Sequence, residues 1–359
     1  MPTTLDLRAS SVDLTRALCD VPSVSGDETP LADAIFAALE GLDHLDVYRD
    51  GDTIVARTAL GRAQRVAIAG HIDTVPINGN VPTRDIEIDG QPYLWGRGTV
   101  DMKAGVAVQL KLAAELTDPR VDLTWMWYDH EEVAAELNGL TRLAASRPDL
   151  FAADFAILGE PSNGQVEGGC NGNLRAIVRT SGVRAHSARA WIGENAIHKA
   201  APILARLAEY RPREVSVEGL VYREGLNAVR IGGGIAGNVI PDACEVEVNY
   251  RFAPNKDGAA AEAQVRDVLA GFEVEIVDLA EGARPGLDAP LAQEFVAAVG
   301  AVPRPKYGWT DVARFSAMGV PAVNYGPGDP HLAHHDEERV PLAQIEDVER
   351  GLRAWLTGA

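Results

Sequence analysis

The sequence predicts an α/β fold: a mixed, largely parallel sheet flanked by helices, interrupted by an inserted α+β domain of order βαββαβ. Three observations predict it. Helix and strand patterns alternate from about residue 10 to 160, the character changes near Asn171, and the first pattern resumes after the breaker "EGARPGLDAP". The expected bounds are 1–172 with 286–359 for the larger domain and 173–285 for the insertion. A chain of 359 residues with 46% hydrophobic content can bury two cores.

Taken in order, the first amphipathic pattern follows the turn "SGDETP", where Leu31, Ala32, Ile35, Phe36 and Leu39 recur at helical spacing and Ser25 or Asp27 could cap the helix. Strands follow at "DTIVART", "RVAIAG", "DLTWMWY" and "DFAILG", with helices between them at "MKAGVAVQLKLAAELT" and "LNGLTRLAAS". Such alternation implies parallel strands joined by helices that cover both faces. In the insertion, "NLRAIVRTSG" reads as a strand and "NAIHKAAPILARLAEY" as a helix. Two strands, "AVRIGGGIAG" and "CEVEVNYRF", flank the turn "NVIPDA", and a helix at "GAAAEAQVRDVLAGF" leads to a last strand, "EVEIVDL". The larger domain then closes with a helix at "LAQEFVAAVG", a strand at "GVPAVNYG" and a terminal helix in "PLAQIEDVERGLRAWL".

Charge and cysteine content exclude several function classes. A net charge of −19, from 52 acidic against 33 basic residues, repels phosphate backbones and anionic lipid, so neither nucleic acid nor a membrane surface is expected as a partner. Three widely separated cysteines do not resemble a disulfide framework and fit a reducing cytoplasm. The N-terminal stretch lacks a basic region followed by an apolar run, and no window approaches eighteen uninterrupted apolar residues, so a soluble, untargeted protein is expected.

In open parallel sheets, functional residues gather beyond the carboxyl ends of the strands. Here "VAIAG" runs into His71 and Asp73, "LTWMWY" into Asp129-His130-Glu131-Glu132, and "DFAILG" into Glu160. Asp101, in "WGRGTVDMKAG", stands before an apolar-striped helix, where an isolated aspartate would ordinarily cap helix N–H groups. Adjacent Glu131 and Glu132 would repel each other at a buried strand end unless a cation lay between them. The "GRG" triplet lacks the spacing of a phosphate loop. "DPHLAHHDEERV" adds three of the eight histidines. Imidazole and carboxylate ligands without cysteine suit zinc, cobalt or manganese in a catalytic site. Five candidates with one shared carboxylate suit two ions about 3.5–4 Å apart.

In this order, the stretches "GHIDTVP", "GRGTVDMKAG", "HEEV", "LGEPS", "GVRAHSARAWIGENAIHKA", "GGIAGNVIPDACEVEVNYRF", "WTDVARF" and "LAHHDEERV" resemble the M20 metallopeptidases, a family of dinuclear zinc aminoacylases and carboxypeptidases. The resemblance spans nearly the whole chain and implies a zinc-exopeptidase-like catalytic domain with an inserted lid or dimerisation domain. It makes His71 and Glu160 ligands of one zinc, Glu132 and His334 ligands of the other, and Asp101 the bridge. His334 is preferred to His335 because the family pattern is Ala-His, two residues, then an acid or amide and Glu, which "AHHDEE" satisfies from His334. Glu131 then takes the family's general-base position, acting on the zinc-bridging water. Asp73, on the same side of an extended strand as His71, orients the imidazole. His186 matches the lid histidine that reaches a neighbouring subunit's site, which implies a homodimer, and Asn238 and Arg251 match substrate contacts. After Glu160 the text "GGCNGNLR" departs from the family's arginine-rich pattern, with Arg175 as a replacement contact.

Two Zn²⁺ contribute +4, and Asp101, Glu132, Glu160 and Glu131 bring that inner site to about zero, so an anionic substrate needs cations outside it; Arg175, Arg184, Arg189 and Arg251 offer them. An N-acyl amino acid fits. Within the family, the lid text and the ending "GPGDPHLAHHDEERV" are most similar to actinobacterial members that hydrolyse N-succinyl-LL-2,6-diaminopimelate. N-acetylornithine or another N-acyl amino acid is the alternative substrate, and a catalytically silent metal- or peptide-binding relative is the alternative of another class, opposed by the presence of Glu131.

Overall fold

The structure is a computed structural model that describes residues 4–358. It divides into two compact units, one made of the chain through Gly168 with Pro285–Arg304 and the chain from Arg314 onward, the other of Gly169–Arg284 with Pro305–Ala313. The second unit thus begins four residues earlier than the sequence suggested and takes in a later segment as well. That segment is held by local bonds: the Asn171 N–H donates to the Lys306 carbonyl (3.2 Å), and the Trp309 indole donates to the Glu281 carbonyl (3.0 Å).

The first unit is built on a sheet in which the strands run in the order Asp46–Asp50, Thr53–Arg57, Asp122–Tyr128, Arg65–His71, Phe155–Leu158, Ala322–Asn324 and Glu167–Gly168, with one further edge strand. The four strands from Asp122–Tyr128 to Ala322–Asn324 are parallel, whereas Thr53–Arg57 and Glu167–Gly168 pair antiparallel, so the sheet is mixed and largely parallel as expected. Every residue of Asp122–Tyr128 is buried, and all but Arg65 of Arg65–His71. These strands carry apolar side chains on both faces because helices cover both, which is why they read as continuous runs. Register fixes where they end. His71 lies opposite Tyr128 and Ala69 opposite Leu158, so three neighbouring strands release their chains at one edge.

The helix Lys103–Glu115 lies against this edge, with ten of its thirteen residues buried. Its Gly105 passes so close to the loop after Phe155–Leu158 that a Cβ would land on the Gly159 carbonyl. No side-chain cap starts the helix Thr29–Leu39, contrary to the expectation for Ser25 or Asp27. The Ser25 hydroxyl donates instead to Asp73 (2.6 Å), having been drawn there by pairing of its strand-like segment with Thr74.

The second unit holds a four-stranded antiparallel sheet in the order Gly225–Gly233, Ala243–Phe252, Gly172–Ser181, Glu273–Ala280. Alternating burial along Gly172–Ser181 and Ala243–Phe252 gives it one covered face. Leu174, Val178, Val246 and Tyr250 pack there with Ile203, Leu207, Ala261 and Val265 from two helices. The βαββαβ order holds with two additions: a hairpin of Glu214–Val217 and Leu220–Arg223, and a two-residue pairing of Ala185–His186 with Val239–Ile240 inside the expected turn "NVIPDA". Strands of two to four residues carry too little periodicity to be read in advance. No helix among the described residues is long and apolar enough to cross a membrane.

Gly105→Ala separates two effects of opposite sign. Helix propensity alone would favour alanine by about 1 kcal/mol. The Cβ, however, meets backbone that cannot rotate away, and overpacking of this kind costs about 1–3 kcal/mol. A lower thermal unfolding midpoint is expected; a raised one would show that the Gly159 loop moves freely.

Candidate metal centre

The parallel register brings His71, Asp73, Glu131, Glu132 and Glu160 to one sheet edge, and two loops complete the cluster. Asp101 precedes the helix Lys103–Glu115, and His334 sits in the loop before Arg339–Pro341 with a positive φ of 65°. Three groups have donor atoms within 4.8 Å of one another: His71, Asp101 and Glu160; Asp101, Glu132 and His334; and His71, Glu131 and Glu132. His335 is turned away, its Nδ1 accepting the Glu337 N–H.

Asp101 belongs to two of the three groups and divides its carboxylate between them. Its Oδ1 lies 3.1 Å from His71 Nε2 and its Oδ2 3.3 Å from His334 Nε2. Glu132 completes the second side at 3.0 Å from His334 Nε2. The donor set is imidazole nitrogen and carboxylate oxygen throughout, with one carboxylate presenting an oxygen to each half, and it fits a pair of divalent cations such as zinc. Electrostatics say the same. Burial would push the His71 imidazole down, but hydrogen bonds to Asp101 and Asp73 outweigh it and hold its pKa well above the ordinary value. Hydrogen bonds to Asp101 and Glu132 raise His334 to about 10. Burial of Asp101 is likewise overcome by its bonds to His334 and His71, which hold its carboxyl below the usual range. In the metal-free chain, protons on the imidazoles thus occupy the place of cations.

Three buried carboxylates fix the backbone around this cluster. Asp73 is fully buried and accepts the Glu131 and Glu132 N–H groups at 3.0 and 3.1 Å, so it fixes both glutamates at once. It also faces the imidazole it was expected to orient: His71 Nδ1 lies 3.0 Å from the Asp73 carbonyl oxygen and 3.5 Å from its Oδ1. Glu338, also fully buried, accepts the Val100 and Asp101 N–H groups at 2.8 and 3.0 Å. Glu28 accepts the N–H groups of Gly26 (2.8 Å) and His130 (3.2 Å). Sequence reasoning missed Glu338 and Glu28, and Ser25 as a donor to Asp73. The one signal for Glu338 was its place at the end of "AHHDEE".

The remaining candidates lie in the second unit. His186 pairs with Val239, and the Ser187 N–H donates to the Asn238 carbonyl (2.8 Å), so the two lid candidates are neighbours. His186 Nδ1 accepts the Ala188 N–H (3.0 Å), which puts the proton of the neutral ring on Nε2. Arg175 is already engaged by Asp278 (3.2 Å) and Glu247 (3.7 Å). Arg251 makes no ion pair among the described residues, and burial lowers its pKa.

The pattern that defines Peptidase family M20/M25/M40 matches residues 67–357. A Mycobacterium tuberculosis protein, named provisionally as the succinyl-diaminopimelate desuccinylase DapE, is 52% identical over 357 residues, covering 99% of this chain and 100% of the relative. The succinyl-diaminopimelate desuccinylase of Corynebacterium glutamicum is 48% identical over 364 residues, covering 98% of each. Among solved structures, the Bacillus subtilis YXEP protein, described as a dinuclear metal binding peptidase, superposes with a TM-score of 0.72 at 16% identity over 98% of both chains.

Ligation must displace the imidazole protons. His334 is charged in the metal-free chain up to about pH 10, so its pairing contributes stability that is fully present below the ordinary histidine value and lost as pH rises through about 10. Metal uptake at pH 7 is therefore expected to release protons, and apparent affinity to tighten roughly tenfold per pH unit for each proton displaced. Calorimetric titration in two buffers of different ionisation enthalpy measures the release; identical heats in both would contradict it.

Proposed function

The chain belongs to peptidase family M20/M25/M40, and we propose that it hydrolyses N-succinyl-LL-2,6-diaminopimelate to succinate and LL-2,6-diaminopimelate with two zinc ions per subunit, which cobalt can replace. The observation that carries the two-metal reading is the division of the Asp101 carboxylate between His71 and His334. The succinylated substrate is supported by near-full-length identity of about half to two relatives that bear that name.

In this reading His71 and Glu160 would hold one ion and Glu132 and His334 the other, with Asp101 contributing an oxygen to each. The bound ions would supply Lewis acidity toward the acyl carbonyl and a water acidic enough to react near neutral pH. Glu131 takes the proton of the attacking water and passes it to the departing amine. Its backbone is tied to Asp73 by a 3.0 Å hydrogen bond, which limits how far the carboxylate can drift from its task. His186, with its proton on Nε2, donates to the developing oxyanion across a homodimer formed through the inserted unit. Arg251, which makes no ion pair among the described residues, meets a substrate carboxylate, with Asn238 on a substrate oxygen. Arg175, held by two acids, contributes less to that contact. The unit of Gly169–Arg284 with Pro305–Ala313 then forms the lid, and the other unit the catalytic part. Three free, buried cysteines accord with a cytoplasmic location.

Steady-state comparison of N-succinyl-diaminopimelate with N-acetylornithine tests the substrate. A preference of roughly a hundredfold or more in kcat/KM for the succinyl compound is expected; the reverse order would replace the assignment. Glu131→Gln is expected to keep both metals and lose turnover by about a thousandfold, whereas Glu132→Gln loses one metal equivalent. Equal metal loss in the two variants would remove the distinction between base and ligand.

A further inference from the structure

Two segments of the metal centre lie far apart in sequence and are joined by a buried ion pair. Glu338 is four residues after His334, and Arg97 four before Asp101. The Arg97 guanidinium donates through Nη1 to Glu338 Oε2 (2.9 Å) and to the His335 carbonyl (3.4 Å), and its Nη2 lies 3.8 Å from Asp336. The other oxygen of Glu338 accepts the N–H groups of Val100 (2.8 Å) and Asp101 (3.0 Å), and the Gly96 N–H donates to the Glu338 carbonyl (3.0 Å). Arg97 is 4% exposed and Glu338 fully buried.

We propose that Glu338 and Arg97 are positioning residues that lock the Asp101 carboxylate and the His334 imidazole into one rigid frame, so that a single carboxylate can serve both cations. The proposal rests on the two-metal reading above. Neither residue belongs to the donor groups of the centre. Each acts through backbone: Glu338 fixes the peptide that bears Asp101, and Arg97 fixes the segment that follows His334. The "GRG" triplet, which lacks the spacing of a phosphate loop, gains a purpose here. Its arginine supplies the brace, and its glycines, with φ of 150° and 82°, let the chain turn tightly on both sides of it.

The carboxylate of Glu338 is an acceptor at both oxygens, facing donors on both sides. Glutamine keeps the shape but must turn its NH₂ group toward either Arg97 or the two N–H groups, so one side of the brace opens. Cobalt(II) titration followed by calorimetry and visible absorption, run well below the unfolding midpoint, reads the result on folded protein. For Glu338→Gln both cobalt equivalents are expected to weaken by about 10–100-fold, because the shared Asp101 moves, while His334→Ala weakens one equivalent only. At saturating metal, kcat is expected to fall with KM within about twofold of wild type, since no substrate contact is lost. Should Glu338→Gln fail to fold, Arg97→Lys, which keeps a cation beside Glu338 but loses the fork, carries the same test with a smaller loss of the same kind. Wild-type cobalt affinities and spectrum in a folded variant would overturn the brace alone. A wild-type chain that takes up fewer than two cobalt ions would overturn the two-metal reading, and the brace with it.

Discussion

Carboxylates resist burial, because removing a negative charge from water costs several kcal/mol unless hydrogen bonds or cations replace the solvent. The first unit places seven of them, Glu28, Asp73, Asp101, Glu131, Glu132, Glu160 and Glu338, around one sheet edge. Compensation takes two forms. Asp73, Glu28 and Glu338 accept hydrogen bonds from backbone N–H groups of the site loops. Glu338 also has Arg97, and a fully buried Lys103 lies nearby, its ammonium donating to the Leu18 and Val21 carbonyls. Asp101 and Glu132 are answered by the imidazoles of His71 and His334, whose protons are mobile. Fixed charge is met by fixed dipoles, and exchangeable charge is left for exchangeable cations.

The sheet makes this arrangement reproducible. Strands buried on both faces cannot slip by one residue without turning polar side chains into the core. Once Arg65–His71 and Asp122–Tyr128 are in register, the positions of His71 and of the Glu131–Glu132 pair follow within the slack of a few bonds. Asp73 removes most of that slack. The Gly105 and Gly159 contact does similar work for Glu160, bringing its loop against the helix that follows Asp101.

Much of the site was legible in the sequence, for a physical reason. His71, Asp101, Glu131, Glu132 and Glu160 interrupt or adjoin strongly patterned apolar runs, and although Asp101 alone could cap a helix, five such residues meeting at one sheet edge point beyond structure. His334 was legible from its motif, and the structure turns that ring, not that of His335, toward Asp101. The buried acids that hold loop backbones were not legible. Glu338 answers N–H groups 237 and 238 residues away, a pairing with no local periodicity. Ser25 stood where a helix cap was expected, because a hydroxyl before a helix has two uses and only its distant partner decides between them. The short hairpin Glu214–Val217 and Leu220–Arg223 escaped for lack of length.

The Pro305–Ala313 segment has a bearing on how such a chain can be cut or evolved. Its Lys306 and Thr310 carbonyls accept from Asn171 and Cys170, and its Trp309 indole reaches Glu281. An inserted module bounded at two points could be deleted or exchanged as a cassette. Here the insertion has captured a piece of its host, so excising Gly169–Arg284 would take the Asn171 and Cys170 donors from the Lys306 and Thr310 carbonyls and the Glu281 acceptor from the Trp309 indole. Shuffling between relatives would therefore have to carry two separate stretches of chain together.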